Sequence, residues 1–218
     1  MHTDAAQAIG KIPVNVADLG VDYLTIVGHK FYGPRIGALY VRNLDKGPHS
    51  RPLKPVFLGG GQEWGYRSGT ENTAMIAGLG KACELVAENI LAYQSHMTEI
   101  RLFLEESLYQ AFGDKVAFNA KSSYSERLPN TCSISIRGEE LTGRRVLNQC
   151  RKVIAGVGAA CHSSAGATNC SAVLLASGVS VEDARNAIRL SVGRQTTRLD
   201  ITLAVEDLVQ AVRALESG

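Results

Sequence analysis

Short β-rich runs occupy the first part of the chain. Apolar and β-branched residues cluster at 14–16, 23–27 and 36–41, with Gly20 and Gly33 in the turns between them. Runs of this kind, bounded by glycine and proline, predict β-strands. Three strands with little helix between them cannot close a core, so we expect them to belong to a larger sheet.

Residues 47–70 carry no apolar periodicity. Single prolines recur through the first half of this segment, and three glycines at 59–61 begin the second half. The segment predicts a long loop, and long loops in compact proteins are usually functional or disordered. The aromatic and charged side chains of Trp64, Tyr66 and Arg67 favour a functional loop.

A long amphipathic helix follows. Apolar residues recur at spacings of three and four at Val86, Ile90, Tyr93, Met97, Ile100, Leu104 and Leu108. This stripe predicts a helix of about 33 Å. Because long helices often join domains, we place a boundary here, with domains at 1–88 and 89–218.

The remaining residues predict a mixed α+β region. Strands are expected at 131–136, 153–155 and 189–192, and helices at 146–150 and 181–188. The last helix is predicted from one apolar face, formed by Ile201, Val205, Leu208, Val212 and Leu215. Thr197 and Asp200 have the spacing of a capping box at its start.

Composition narrows the functional classes. The chain has 218 residues, 45% hydrophobic and 20% charged, with a formal net charge of +2. No basic block suggests nucleic-acid binding, and no apolar run is long enough for a membrane span. The first residues resemble neither a signal nor a transit peptide, and five cysteines give no disulfide framework, so we expect a cytosolic protein.

Lys30 is the first candidate for chemistry. It directly follows a predicted hydrophobic strand, where an ammonium group is costly to desolvate unless it is paired or loses its proton. A lysine in such a place suits Schiff-base chemistry, because its neutral amine attacks carbonyl carbons. An ordinary solvated lysine at a strand end is the alternative.

Asp4 and Gln7 form a second candidate pair. A carboxylate can hold the ring nitrogen of pyridoxal phosphate protonated, and an amide can bond the ring hydroxyl. The Asp-x-x-Gln spacing alone is weak, and a surface helix cap would explain it equally.

Several motifs together carry a family resemblance. They are HTDAAQ at 2–7, GHKFYGP at 28–34, GGGQE at 59–63, RSGT at 67–70 and VGAACHS at 157–163. In this combination the chain resembles the class V aminotransferase-like enzymes of fold-type I. Within them it is most similar to the group of cysteine desulfurases and selenocysteine lyases. The resemblance runs from Asp4 to about Leu215.

The resemblance implies an α/β fold and a set of cofactor contacts. Residues 1–88 would be the C-terminal part of the large pyridoxal phosphate-binding domain, and 89–218 a smaller α+β domain. Lys30 would be the catalytic lysine that binds the cofactor covalently, with Asp4 at the pyridine nitrogen and Gln7 at the ring hydroxyl. His29 would lie near the phosphate, and Thr70 would reach the phosphate of a second subunit.

Two further residues are implied for the reaction. Cys161, in a loop of small residues, would be the catalytic thiol, and Arg189 would grip the substrate carboxylate. The other reading of any one cysteine is a buried inert thiol, which we expect for Cys83, Cys132 and Cys150. A metal site of Cys161, His162 and Cys170 fits no common zinc spacing, so no metal is expected.

The implied activity is decomposition of L-selenocysteine to L-alanine with release of selenium. Desulfuration of L-cysteine, leaving a persulfide on Cys161 for transfer, is the alternative, as is a non-catalytic truncated form that pairs with a full-length subunit. A homodimer and a selenium or sulfur acceptor protein are the implied partners, with neither nucleic acid nor membrane. Because the family's phosphate-cradling turn and ring-stacking residue precede the segment at Asp4, we expect this chain to be a C-terminal portion.

Overall fold

The computed structural model describes residues 1–44, 51–119, 126–157 and 170–217. These residues include six α-helices and six strands. The strands are β1 (His2–Asp4), β2 (Tyr23–Val27), β3 (Gly37–Val41), β4 (Val116–Phe118), β5 (Thr131–Ile136) and β6 (Ala187–Ser191). The helices are α1 (Val16–Leu19), α2 (Thr73–Phe112), α3 (Gly143–Gln149), α4 (Ala172–Ala176), α5 (Val181–Arg185) and α6 (Arg198–Glu216). The elements form two compact units, Met1–Tyr93 and Gln94–Gly218, and the predicted α/β class is confirmed.

The first unit contains a three-stranded sheet in the order β1-β2-β3. β1 and β2 are parallel, whereas β2 and β3 are antiparallel. Ala5, Val21 and Leu24 form the buried cluster beside the sheet, and Ile9 and Val14 pack against it. Ala5 of this cluster directly follows Asp4, the last residue of β1.

The second unit contains an antiparallel sheet in the order β4-β5-β6. Its central strand, β5, buries Ile134 and Ile136 completely, and Ile188 of β6 is buried with them. Helix α6 begins with the predicted capping box, in which the Thr197 hydroxyl and the Asp200 carboxylate each accept a backbone N–H from the other residue. The predicted strand at 131–136 and the predicted last helix are confirmed.

The predicted long helix is confirmed and extends beyond its apolar stripe. α2 has 40 residues, so it is about 60 Å long. The division between the two units falls within it, between Tyr93 and Gln94. In the described part of the predicted loop, residues 51–70, the regular structure is a 3-10 turn at Gln62–Gly65.

The predicted strand at 14–16 is wrong because a side-chain cap starts a helix there. The Asn15 carboxamide oxygen accepts the N–H of Ala17, and α1 begins at Val16. Gly20 ends α1 in the left-handed region, with φ +63°. Capping and a left-handed glycine together outweigh the β propensity of the two valines.

Two predictions in the second unit are corrected, the first only in where the helix ends and the second entirely. The predicted helix at 181–188 ends at Arg185, because the buried Asn186 side chain donates to the carbonyls of Ile136 and Gly138 and directs the next residues into β6. Residues 153–155 form no strand, because the backbone N–H of Val153 is taken by the Asp207 carboxylate.

Candidate active site

The carboxyl ends of β1 and β2 form one edge of the first sheet. Asp4 is the last residue of β1, and Lys30 lies in the 3-10 turn Gly28–Phe31 that directly follows β2. Because β1 and β2 are parallel, with Asp4 opposite Thr25, both candidates emerge at the same edge. Open α/β sheets bind their ligands at this edge.

Asp4 and Gln7 are both exposed at the end of β1. One carboxylate oxygen of Asp4, Oδ1, accepts the N–H of Ala6 at 2.9 Å, which orients the group. The His2 ring and the Thr25 hydroxyl share a hydrogen bond of 2.9 Å next to it. The second carboxylate oxygen of Asp4 has no hydrogen-bond donor among the described residues, so it can accept one from a ligand.

The turn that carries Lys30 has a buried side chain on one side and exposed side chains on the other. Phe31 is only 1% exposed, whereas His29 and Lys30 are exposed. The turn closes through the N–H of Gly33, which donates to the Gly28 carbonyl at 2.9 Å. In the part of the chain that the structure describes, no acceptor engages the Lys30 amine. The primary amine of Lys30 is therefore accessible to an electrophile.

The absence of a side chain at Gly28 allows the backbone to make this turn. A Cβ at Gly28 would lie 2.6 Å from the Pro34 carbonyl oxygen and 2.8 Å from the Ile36 carbonyl oxygen. Both contacts are far shorter than van der Waals distance, and both partners are backbone atoms that cannot turn aside. The Gly28 N–H also donates to the Ile36 carbonyl at 2.8 Å, which ties the turn to the start of β3.

We therefore expect Gly28→Ala to destabilise the protein by about 2–3 kcal/mol, because the added methyl group overpacks a backbone contact. Urea unfolding followed by far-ultraviolet circular dichroism measures the change. Gly80→Ala is the matched control, because a Cβ at this exposed helical position meets nothing within 4 Å. It should stabilise by about 0.5–1 kcal/mol. Equal stability of Gly28→Ala and wild type would contradict the prediction.

Thr70 lies in an exposed part of the chain before α2. The Arg67 guanidinium donates to the carbonyls of Gly69 and Thr70, at 3.1 and 3.4 Å, and so holds the RSGT segment in a turn. The Thr70 side chain is left exposed. Its contact with a second subunit stays a prediction, as does the role of His29 at the phosphate.

Arg189 belongs to the second unit, in β6. Its backbone pairs with Ser133 of β5 on one side and with Gly156 on the other. The Arg189 N–H donates to the Gly156 carbonyl at 2.6 Å, and the Gly156 N–H donates back at 3.3 Å. The guanidinium is half-buried and has no acidic partner among the described residues. Its fork of donors is therefore available for a carboxylate.

Asp207 binds the backbone of the segment that leads to Gly156, the residue paired with Arg189. Its carboxylate is 5% exposed and accepts the backbone N–H groups of Arg151, Lys152 and Val153 at 2.7–3.0 Å. Burial alone would raise the pKa of Asp207, but the three N–H donors outweigh it and hold the pKa below its ordinary value. Sequence analysis missed this residue. Its position beside Leu208 on the apolar face of α6 was the available signal.

Lys11 is the second residue that sequence analysis missed. It is 5% exposed, and its ammonium donates to the carbonyl of Lys30 and, at 3.3 Å, to that of Ile9. Burial, and then the nearby charge of Lys30, lower the pKa of Lys11 to about 8. A lysine between a glycine and an isoleucine carries no pattern that distinguishes it from a solvated one.

The cysteines differ from one another in accessibility. Cys161, the predicted thiol, lies outside the described residues, as does His162. Cys132 is buried as expected, and burial, followed by the charge of Asp207, raises the pKa of the half-buried Cys150 to about 11. The expectation of a buried thiol is wrong for Cys83, which is exposed on α2.

The described residues contain neither a metal-binding cluster nor a membrane-spanning helix. No group of three or more His, Cys, Asp or Glu side chains within residues 1–44, 51–119, 126–157 and 170–217 is arranged to hold a metal ion. Across the same ranges, no helix combines the length and the apolar character needed to cross a bilayer.

Comparisons with known proteins place the chain in a family. The class V aminotransferase family model matches residues 1–203. The chain is 62% identical to bovine (Bos taurus) selenocysteine lyase, covering 99% of this chain and 48% of that protein. It is 38% identical to the cysteine desulfurase IscS of Clostridium botulinum, covering 97% and 51%.

A solved structure agrees with these matches. The NifS-like protein of Rickettsia africae superposes with a TM-score of 0.75 at 32% identity, covering 97% of this chain and 53% of that one. The chain thus spans about half the length of the relatives it matches. The family match extends over both units and includes Asp4, Lys30 and Arg189. The chain belongs to the class V aminotransferase family.

Proposed function

We propose that this chain is part of a pyridoxal phosphate-dependent lyase that decomposes L-selenocysteine to L-alanine with release of selenium. The observation that carries the proposal is the exposed Lys30 amine on a hydrogen-bonded turn, at the same sheet edge as the Asp4 carboxylate, one oxygen of which has no donor among the described residues. The 62% identity to bovine selenocysteine lyase over 99% of the chain supports this choice of substrate.

The residues at this edge fit the cofactor. Class V aminotransferases depend on pyridoxal phosphate. An amine without a protein acceptor can attach to the cofactor aldehyde, and a carboxylate with one free oxygen can face the ring nitrogen. When bound, the cofactor acts as an electron sink for the pair released at the substrate Cα. Asp4 would maintain that capacity by holding a proton on the ring nitrogen.

The chain's own residues then have separate tasks. Once displaced from the cofactor, the Lys30 amine would take the proton from the substrate Cα as a general base. Arg189 would bind the α-carboxylate through two parallel N–H donors. The overall reaction balances without a co-reactant when selenium leaves as the element, because selenocysteine and alanine differ by one selenium atom. A thiol reductant converts that selenium to selenide.

The proposed homodimer has support in the first unit. Val56, Phe57, Leu58 and Trp64 are exposed in the segment that precedes Thr70, with Trp64 at 88%. Apolar side chains grouped in this way commonly mark an interaction surface. A second subunit that covers them would also lie next to Thr70, as the predicted phosphate contact requires.

The test uses this chain alone and a completed chain, in which its 218 residues replace the matching part of bovine selenocysteine lyase. Both proteins are incubated with pyridoxal phosphate and reduced with borohydride, and the labelled peptide is identified by mass spectrometry. Alanine is measured after addition of L-selenocysteine or L-cysteine. We expect the label on Lys30 and faster alanine release from selenocysteine.

The arms of the test separate the alternatives. Faster turnover of L-cysteine would favour a desulfurase. A label and activity in the completed chain but not in the chain alone would show that residues outside this sequence complete the pocket. Absence of a label at Lys30 in both proteins would contradict the proposed function.

A further inference from the structure

Lys11 is a buried cation without a counter-ion among the described residues. Its ammonium is satisfied by two neutral acceptors, the carbonyls of Ile9 and Lys30. Moving an ammonium out of water costs several kcal/mol, and carbonyl dipoles recover less of that cost than a carboxylate would. The lowered pKa of Lys11 is consistent with this cost. A neutral side chain of similar length would fill the same space with a smaller desolvation penalty.

The segment that carries Lys11 also carries the predicted ring-binding residues. After Asp4 the chain continues through successive turns, with Ala8 N–H donating to the Ala5 carbonyl at 3.0 Å and Lys11 N–H to the Ala8 carbonyl at 2.9 Å. Gln7 lies in the middle of these turns. Residues 4–11 are therefore one hydrogen-bonded segment, here called the β1 turn segment, with Asp4 at one end and Lys11 at the other.

The β1 turn segment packs directly on the turn that carries Lys30. Gly10, with φ +78°, approaches Phe31 so closely that a Cβ would lie 2.6 Å from the Phe31 Cβ. Beside this contact, the Lys11 ammonium binds the Lys30 carbonyl. One contact is steric and the other polar, and together they set the distance between the two segments.

We propose that Lys11 is a positioning residue that fixes the Lys30 peptide relative to Asp4 and Gln7, so that the covalent and the ring-binding contacts of the cofactor keep one spacing. The inference rests on the proposed function, in which Lys30 binds pyridoxal phosphate. Lys11 itself is buried behind the turn and acts through the backbone. Its loss should therefore change the orientation of the bound cofactor and the proton transfer by Lys30, rather than substrate affinity.

The test compares Lys11→Met with Lys81→Met in the completed chain loaded with pyridoxal phosphate. Methionine is unbranched like lysine, keeps most of the length of the side chain and removes the donors. Lys81 is an exposed lysine of α2 in the same unit, paired with Glu84, and serves as the matched control. The readouts are the circular dichroism of the cofactor absorption band, kcat and KM, and the thermal midpoint.

For Lys11→Met we expect at least a halving of the induced dichroism and about a tenfold lower kcat, with KM within about twofold, because small misplacements of a reacting group reduce turnover strongly. The thermal midpoint should change little, since removing the buried charge offsets the cost of leaving the carbonyls of Ile9 and Lys30 without this donor. A purely structural role would instead lower the midpoint and leave the dichroism of the folded protein unchanged.

Lys11→Arg provides a second variant, because arginine retains N–H donors and should recover part of the dichroism that methionine loses. Unchanged dichroism and kcat in Lys11→Met would overturn the inference while the borohydride label on wild type still supports the proposed function. If Lys11→Met does not fold, dichroism and kcat below those of wild type in folded Lys11→Arg support the inference, and values equal to wild type overturn it. A wild-type protein without the label on Lys30 would overturn both.

Discussion

Replacing Lys30 by alanine in the completed chain should abolish covalent retention of pyridoxal phosphate and lower kcat/KM by about 10³-fold or more. Two losses add in this variant. The amine that attaches to the cofactor aldehyde is gone, and so is the general base at the substrate Cα, which alone is worth roughly 10²–10⁴-fold. The structure shows no second exposed lysine on the Gly28–Phe31 turn that could replace it.

The measurement combines mass spectrometry after borohydride reduction with alanine release. Lys81→Ala is the control, since it removes one exposed lysine of the same unit and should change neither result. Addition of a small primary amine should restore part of the turnover of Lys30→Ala, because it can supply a base in place of the missing side chain. Covalent cofactor in Lys30→Ala would assign the attachment to another lysine and remove the basis of the proposed mechanism.

The sequence predicted elements whose determinants are local. The capping box at Thr197 and Asp200 involves residues three apart, and β2 and β3 are continuous apolar runs with turn residues at their ends. Lys30 could be singled out for the same reason, since both the strand before it and the glycine turn around it are visible in a few consecutive letters.

Long-range contacts explain what sequence reasoning missed. Residues 153–155 have the composition of a strand, but the Asp207 carboxylate, more than fifty residues away, takes the Val153 N–H. Lys11 and Asp207 are charged, and a charge in a sequence usually indicates a solvated side chain. Only the fold shows which backbone groups each of them binds.

A buried ion cluster in the second unit is another long-range contact that local sequence patterns do not reveal. The Glu105 carboxylate on α2 is 6% exposed and accepts from Arg101 at 2.7 Å and from Arg127 at 2.8 and 3.2 Å. Arg101 also donates to the Pro129 carbonyl at 3.2 Å. The cluster thereby fastens the chain just before β5 to helix α2, and β5 is the strand on which Arg189 of β6 is paired.

Glu105→Gln should destabilise the protein by about 3–5 kcal/mol at neutral pH, because it leaves two arginines without their counter-ion in a buried place. Burial raises the pKa of Glu105, but the hydrogen bonds and charges of Arg127 and Arg101 outweigh it, and the folded pKa lies below the ordinary value of 4.5. Stability from a lowered pKa is fully present above the ordinary value and is lost as pH falls through the folded one. The difference between the variant and wild type should therefore shrink under acidic conditions.

Urea unfolding followed by far-ultraviolet circular dichroism measures this prediction. Helix dichroism is suitable because α2 and α6 are the long helices here, whereas the single tryptophan, Trp64, lies in the other unit. Glu106→Gln is the control, because Glu106 is exposed on the same helix and bonds only Gln110 among the described residues. It should change the free energy of unfolding by less than about 0.5 kcal/mol at either pH. If the two variants were equally stable at neutral pH, the arginines would have to be stabilised by solvation rather than by Glu105, and the segment before β5 would depend on other contacts for its place against α2.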